Sequence, residues 1–162
     1  MGCSDQQDPR FVGDPVDVVT GVMSDLRPDL LPRGPISFQW SRHYASDHNQ
    51  LIGPMGRGWA HQFQHSLKAD LDGLLYESPE GMRVEFSVLA VGESVAASGA
   101  RLVRTSEIEY RLTLANQQLA FEFAQGVSEA KLVSSRTQTV DLKFEFDGQG
   151  RLNGINDQQR TI

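Results

Sequence analysis

Hydrophobic and polar residues alternate along most of the chain with a period of two. The clearest run has apolar residues at 140, 142, 144 and 146, with Asp141, Lys143 and Glu145 between them. Similar runs cover positions 36–44, 59–71, 84–88, 108–114 and 119–123. Because successive residues of a strand point to opposite faces, this pattern predicts strands with one apolar and one polar face. No window of a dozen residues keeps apolar residues at helical spacing, so little or no helix is expected.

Turn residues separate these runs. Asp72-Gly73 is expected to supply the positive φ angles of a tight hairpin, and Ser78-Pro79-Glu80-Gly81 has proline and glycine where a turn needs them. Ala90 to Gly99 predicts a loose loop, and Arg27 to Pro35, with three prolines, predicts an irregular connector. The sequence therefore predicts an all-β fold, in which about a dozen short strands joined by hairpins form a meandering antiparallel sheet.

Composition narrows the possible partners. The 162 residues fit one domain of ordinary size, and 39% hydrophobic with 22% charged residues is typical of a folded, water-soluble domain. The net charge is −6, and lysines and arginines are scattered, so no basic stripe for nucleic acid is present. No apolar run approaches the ~20 residues of a spanning helix, so no membrane partner is expected. Cys3 is the only cysteine, which excludes an internal disulfide.

The first residues predict a flexible leader. Residues 1–12 are polar and show no alternation. No apolar stretch precedes Cys3, as a secretory signal would require, and Gln6 stands where a myristoylation site has Ser or Thr. We therefore expect no signal peptide and a cytoplasmic location before any export by a dedicated secretion system.

Residues that could carry catalysis or bind metal are few. His61 and His65 stand four apart in an alternating run, and a zinc site would need a third ligand from His43, His48 or an aspartate. The alternative, which we favour, is that the two imidazoles pack among aromatic side chains. No nucleophile motif is present, and Gly53 to Gly58 lacks the Lys-Ser/Thr of a phosphate loop. We expect neither an enzyme nor a cofactor.

Three segments resemble a known family. Gly13-Asp14-Pro15-Val16-Asp17-Val18-Val19-Thr20-Gly21 resembles the segment that precedes the repeats of the large bacterial RHS proteins. Arg42-x-Tyr44-x-Ser46 and Gly53-Pro54-Met55-Gly56-Arg57-Gly58-Trp59 are similar to the elements that follow it, with Met55 in place of the usual leucine. Phe146-Asp147-Gly148-Gln149-Gly150-Arg151-Leu152 resembles one YD repeat, with Phe146 in place of tyrosine.

The resemblance implies a structural role. RHS and YD-repeat proteins resemble one another in wrapping a long β-sheet into a hollow shell, and in polymorphic toxins the shell encloses a C-terminal toxin, often delivered by a type VI secretion system. By resemblance, the structural motif residues are Arg42, Tyr44, Gly53, Pro54, Gly56, Gly58, Trp59, Phe146, Asp147, Gly150, Arg151 and Leu152. The expected partners are the rest of the shell and its toxin cargo, with no catalytic or cofactor-binding residue in this segment.

The same motifs predict the domain organisation. We expect the leader to span 1–12, an RHS N-terminal β domain to span 13–135, and truncated YD repeats to begin within 136–162. Because the chain stops at Thr161-Ile162, just inside a further alternating segment, we expect an exposed final strand edge that could pair with another copy.

A second interpretation is a carbohydrate or cell-surface binding module. Trp40, Tyr44, Trp59 and Tyr76 could stack on sugar rings if at least two of them lay coplanar and exposed to solvent beside polar groups. The competing possibility is that the four rings fill the wall between strands.

Overall fold

The fold is almost entirely β, as predicted. The structure is a computed structural model that describes residues 16–30, 40–48, 52–53, 55–149 and 151–158. Within these ranges the chain forms one short 3₁₀ turn (Ser46–His48) and fifteen strands, and every strand pair is antiparallel. The strands are β1 (Ser24–Leu30), β2 (Trp40–Ala45), β3 (Ile52–Gly53), β4 (Gly56–Arg57), β5 (Trp59–His61), β6 (Ser66–Ala69), β7 (Leu74–Glu77), β8 (Arg83–Phe86), β9 (Ser94–Ala97), β10 (Ala100–Arg104), β11 (Glu109–Thr113), β12 (Gln118–Glu122), β13 (Glu129–Arg136), β14 (Asp141–Phe146) and β15 (Leu152–Asp157).

The described residues fall into two compact units, divided between Gln62 and Phe63. The first unit contains a three-stranded sheet in the order β1-β2-β5 and the short pair β3-β4. Ala45 is its one buried hydrophobic residue among those described. The described residues of the first unit therefore form little core.

The second unit contains a large meandering sheet. Its strand order is β8-β7-β6-β13-β12-β11-β10-β9, and β14 and β15 continue from β13. β8 and β9 lie side by side without a ladder, so the sheet nearly closes on itself. Its inner face buries one continuous apolar cluster, in which Tyr76, Phe121 and five leucines are almost inaccessible to water.

The alternating run at 59–71 forms two strands instead of one. β5 ends at His61, β6 begins at Ser66, and the break lies at the division between the two units. Phe63 keeps its place in the alternation because it packs against Phe144 of the second unit, with 5.1 Å between ring centroids. The period of two in the sequence therefore continues across the interruption between β5 and β6, because both strands are half-buried.

Two stretches predicted as irregular form strands. Ser94–Ala97 and Ala100–Arg104 form the hairpin β9-β10, where Ser98 and Gly99 have φ of 47° and 77°. Positive φ at both central residues matches the strand twist, so this two-residue loop closes a hairpin. Arg27 to Leu30 belongs to edge strand β1, where Pro28 is tolerated because an edge strand does not use every amide.

The structure contains the turn predicted at Asp72-Gly73, but the reason that glycine is required there is not the predicted positive φ. Gly73 is absent from the residues with positive φ. A Cβ at Gly73 would overlap the carbonyl oxygen of Phe86 on β8, so glycine is needed for close backbone approach. The loop closes through the hydrogen bond that the Asp70 amide donates to the Gly73 carbonyl (2.9 Å).

Several sequence predictions lie outside the described residues. These are the leader 1–12, the segment Gly13-Asp14-Pro15, the start of the run at 36–44, and Thr161-Ile162 with the strand edge expected there. The domain boundaries drawn from the motifs stay predictions.

Candidate functional site

The first group of motif residues meets on one face of the three-stranded sheet. Tyr44 pairs with Trp59 across β2 and β5, and their ring centroids are 5.3 Å apart. The Arg42 guanidinium lies over the Trp59 ring, 5.0 Å from its centroid. Such a contact between a cation and an aromatic face is attractive because the ring carries negative charge on its face.

Arg42 is also fixed by an ion pair that the motif does not contain. Its Nε and NH2 groups donate to the two carboxylate oxygens of Asp29 on β1, at 2.6 and 2.8 Å. This hydrogen bonding lowers the pKa of Asp29 and raises the pKa of Arg42. A bidentate pair fixes orientation as well as distance, so Arg42 connects β1 to β5 through β2.

The surroundings of Gly58 explain why a glycine precedes the motif tryptophan. Gly58 has a φ of +73°, and a Cβ there would lie 2.8 Å from Tyr44 Cε2 and 3.2 Å from the Ala45 carbonyl oxygen. The Ala45 amide donates to the Gly58 carbonyl at 3.0 Å. Gly56 also has positive φ (+98°) but faces open space. Gly58 therefore satisfies both a backbone and a packing requirement, whereas Gly56 satisfies only the first.

Some motif positions carry less structural information. Gly53 ends β3 and pairs with Gly56 of β4, which closes a very short hairpin. Pro54 and Gly150 lie outside the described residues.

The second group of motif residues forms the β14-β15 hairpin. Asp147 Oδ1 accepts hydrogen bonds from the amides of Gln149 and Arg151, both at 2.9 Å. Arg151 Nε donates to Asp147 Oδ2 at 2.8 Å. The backbone hydrogen bond from Arg151 is the largest cause that lowers the pKa of Asp147. One carboxylate thus holds the turn from inside and binds the arginine at its end, which accounts for an Asp and an Arg four residues apart.

Phe146 and Leu152 flank this turn. They are cross-strand partners in the β14-β15 ladder, and a register shift lies just before Phe146. The Lys131 ammonium lies 5.0 Å from the Phe146 ring centroid. A phenylalanine therefore suffices for the ring's contact with Lys131, which does not use a hydroxyl.

The two candidate metal ligands lie in different units and each packs on an aromatic ring, as favoured above. His61 stacks on Trp40, with 4.9 Å between centroids, and burial lowers its pKa. His65 Nδ1 is 2.8 Å from the Tyr76 hydroxyl, and burial raises the pKa of that hydroxyl. Within the described stretches, no three His, Cys, Asp or Glu side chains group closely enough to hold a metal ion.

The aromatic set proposed for sugar binding does not form one exposed surface. Tyr76 is fully buried in the core of the second unit. Trp40, Tyr44 and Trp59 share a face of the first unit, but each is only partly exposed, and the Tyr44 and Trp59 rings are inclined at 49°. Tyr76 is therefore excluded from any such site.

The polar face of the second unit carries a groove that the sequence did not single out. It has a volume of about 340 Å³ and lies over β11 to β14. Ala120 and Ser134 are among its lining residues, and two ion pairs flank it, Arg111–Glu109 (3.0 Å) and Arg136–Asp141 (2.6 Å). Because both signs of charge alternate there, the groove favours no single charge on a ligand.

One further arginine was missed. Arg104 donates to the carbonyls of Leu89, Ser106 and Glu107, at 2.9 to 3.2 Å, and lies 5.5 Å from the Tyr110 ring centroid. It closes two loops of the second unit. No sequence signal marks it, because most of its partners are backbone carbonyls, which every residue has; its side-chain partners are the Glu107 carboxylate (3.2 Å) and the Tyr110 ring.

These features define an antiparallel β scaffold whose motif side chains bind one another. The described residues contain no helix long and apolar enough to span a membrane. The sequence profile of a family described as "Domain of unknown function (DUF6531)" matches residues 13–86. That range includes the strands of the first unit and ends with β8.

A curated relative matches most of the chain. It is the "Double-stranded DNA deaminase toxin A" of Burkholderia cenocepacia (strain H111), 26% identical over 153 residues, which cover 88% of this chain. The chain spans about a tenth of that relative's length, since the match covers 11% of it. The curated relative is named a toxin, and the description of the matching family states no function.

Proposed function

We propose that this chain is a non-catalytic structural segment of an RHS/YD-repeat shell. In this proposal the shell encloses a C-terminal toxin and carries it in competition between bacteria, most simply through a type VI secretion system. Its partners are the rest of the shell and the toxin cargo, and it acts without a cofactor. The protein is cytoplasmic until export.

The observation that carries the proposal is the use of the motif side chains. Arg42 binds Asp29 and covers Trp59, and Asp147 binds the amides and the guanidinium that follow it. Each of these contacts joins neighbouring strands or closes a hairpin. A catalytic motif would instead direct reactive groups into a shared cleft. Motif side chains that hold neighbouring strands together therefore support a structural role in the wall of a shell.

The comparisons support the context of this wall. The curated relative is named a toxin, and the matched part is a small fraction of its length. A wall segment common to toxin proteins accounts for a match of this extent without placing the toxic activity in this chain. The polar groups described above also have structural partners, which supports a non-enzymatic segment.

The test is protease protection in the complete gene product. We expect its C-terminal region to survive a protease concentration that digests the same region expressed alone. The Arg42→Ala substitution should shorten this protection, because it removes the connection between β1 and β5. Lys143→Ala is the matched control, since Lys143 is exposed on the polar face of β14 and should leave protection unchanged.

Two results would count against the proposal. Digestion of the C-terminal region at equal rates in both contexts would show that nothing encloses it. Equal protection in the Arg42→Ala and wild-type proteins would show that this segment does not hold the wall together.

A further inference from the structure

Three basic side chains form one row across the three-stranded sheet of the first unit. The register places Arg27 of β1 opposite Arg42 of β2, and Arg42 opposite His61 of β5. Like charges that stand directly opposite one another in a sheet are destabilising. The row is therefore stable only if its charges are compensated.

The backbone pattern makes the Arg42–His61 pair a close one. The Gln62 amide donates to the Ser41 carbonyl (3.1 Å), and the Ala45 amide donates to the Gly58 carbonyl (3.0 Å). Because the two kinds of pair alternate along an antiparallel ladder, Arg42–His61 and Tyr44–Trp59 face each other without exchanging backbone hydrogen bonds. Side chains are closest at such positions.

Two acids compensate the two arginines of the row. Asp25 binds Arg27 at 2.6 Å, and Asp29 binds Arg42 at 2.6 Å. The acids and arginines of this face are then balanced one to one. Of the other described charged or titratable groups of the first unit, His43 and Tyr44 belong to β2, whereas Asp17, Asp47, His48 and Arg57 lie outside β1, β2 and β5.

This one-to-one balance of acids and bases holds only while His61 is neutral. The Trp40 ring stacks on the imidazole, with 4.9 Å between centroids, and shields it from water. A proton on His61 would place a third positive charge directly opposite Arg42 in a partly desolvated position. His43 is the other histidine of this sheet. It lies on the opposite face, and its Nδ1 is buried without a hydrogen-bond partner among the described residues.

We propose that the β1-β2-β5 sheet is an acid-sensitive element, which loosens when His61 is protonated while the second unit stays folded. We expect the second unit to stay folded because its core contains sixteen buried residues, none of them ionisable below pH 7, and its histidine, His65, is only partly buried beside the Tyr76 hydroxyl (2.8 Å). This inference concerns the first unit alone and does not depend on the shell proposal.

The sign of the effect follows from the environment of His61. Burial lowers its pKa below the ordinary value of 6.5. The unfolded chain therefore binds this proton at a higher pH than the folded sheet does. The stability contributed by neutral His61 is complete above pH 6.5 and is lost as the pH falls below it. One proton changes the ratio of closed to open sheet by at most about tenfold per pH unit.

The test uses the 162-residue chain and hydrogen–deuterium exchange at pH 7.5 and pH 5.0, corrected for the intrinsic effect of pH. Arg42 holds the pKa of Asp29 below its ordinary value of 3.8, so the Asp29–Arg42 ion pair stays charged over this range. We expect peptides that cover 40–61 to lose protection at pH 5.0, and peptides that cover 109–146 to keep theirs. Fluorescence provides a second readout, because the chain's two tryptophans, Trp40 and Trp59, both lie in this sheet.

His61→Phe keeps a ring against Trp40 and cannot be protonated, so it should abolish the pH effect. His48→Gln, outside the sheet, is the control and should retain it. Should His61→Phe fail to fold, the NMR titration of His61 in the wild-type chain decides, and a pKa at or above 6.5 overturns the proposal. Equal protection of 40–61 at both pH values also overturns it. An effect that persists in folded His61→Phe overturns it as well.

Discussion

At the scale of single residues, the motif side chains make contacts between strands or within a hairpin. Gly58 is glycine because Tyr44 occupies the space where a Cβ would lie. Asp147 is an aspartate because a short carboxylate can reach two amides of its own turn and the Arg151 guanidinium together. Both residues act locally, so single substitutions should reveal their roles.

The two glycines of the motif should differ in their response to alanine. Gly56→Ala only places a Cβ on a residue with positive φ, which costs about 1–2 kcal/mol. Gly58→Ala introduces the same backbone strain and also forces Tyr44 or the backbone at Ala45 to move, which lowers the free energy of unfolding by about 1 kcal/mol or more in addition. Urea unfolding monitored by tryptophan fluorescence measures both, since it reports on the first unit. Equal losses for the two variants would show that the Tyr44 contact is unimportant.

We expect the negative charge of Asp147 to make the stability of the protein depend on pH. Asp147→Asn keeps an oxygen for the turn amides and loses the ion pair with Arg151, so it should lower the melting temperature at pH 7. The pKa of Asp147 lies below its ordinary value of 3.8. The difference between wild type and variant should therefore be complete above pH 4 and shrink as the pH falls further.

Circular dichroism melts between pH 2 and pH 7 measure this difference. Asp72→Asn, at an exposed turn position, is the control and should change little at any pH. A difference for Asp147→Asn that stayed constant down to pH 2 would mean that its charge does not stabilise the hairpin.

At the scale of strands and hairpins, alternation predicted most of the fold. The strand β14 follows the predicted pattern residue by residue, with Leu142 and Phe144 buried and Lys143 exposed. β13 was missed because its inward positions include Ala130 and Ser135, which are too small or polar to mark a face. β9 was missed for the same reason, since it consists of Ser94, Val95 and two alanines.

Some of the candidate site could not be predicted for a similar reason. The partner of Arg42, Asp29, lies in a stretch whose prolines predict a connector, and only the fold brings β1 beside β2. Likewise, Gly73 looks like a turn glycine in sequence, yet its constraint comes from Phe86 on another strand. Sequence periodicity indicates which face is apolar, whereas contacts between distant segments depend on register.

The β14 register gives a direct test of the strand assignment. Leu142→Ala and Phe144→Ala should each cost about 2–5 kcal/mol because both side chains are buried in the core. Lys143→Ala should cost under about 0.5 kcal/mol because its side chain is exposed. Chemical denaturation followed by far-ultraviolet circular dichroism measures all three. Similar small losses would contradict this register.

The β9-β10 hairpin should respond to its turn residues. Ser98 has a φ of 47°, which asparagine tolerates better than serine, so Ser98→Asn should stabilise the protein by about 0.5 kcal/mol. Gly99→Ala should cost about 1–2 kcal/mol because Gly99 has a φ of 77°. Ser87→Asn, outside the turn, is the control for denaturation measurements. Stabilisation by Ser87→Asn but not by Ser98→Asn would contradict the turn assignment.

At the scale of the whole molecule, the apolar surface is unevenly distributed. Of the large hydrophobic residues that are exposed, Val18, Val19, Leu26 and Leu30 all lie within 16–30. The second unit buries sixteen residues in one apolar cluster, although seven of its large hydrophobic residues, spread over 71–152, are also exposed. In the part of the chain that the structure describes, β15 pairs with β14 and with no other strand. Under the shell proposal, we expect its second edge to pair with a further strand. Both features suit the place that we propose for this segment within a larger sheet.

Electron cryomicroscopy of the complete gene product tests the central claim most directly. The account predicts that residues 16–158 form part of a continuous β wall, with the free edge of β15 paired to another strand of the same protein and the C-terminal region inside. A separate domain at these residues, with β15 unpaired and no enclosure around the C-terminal region, would contradict it.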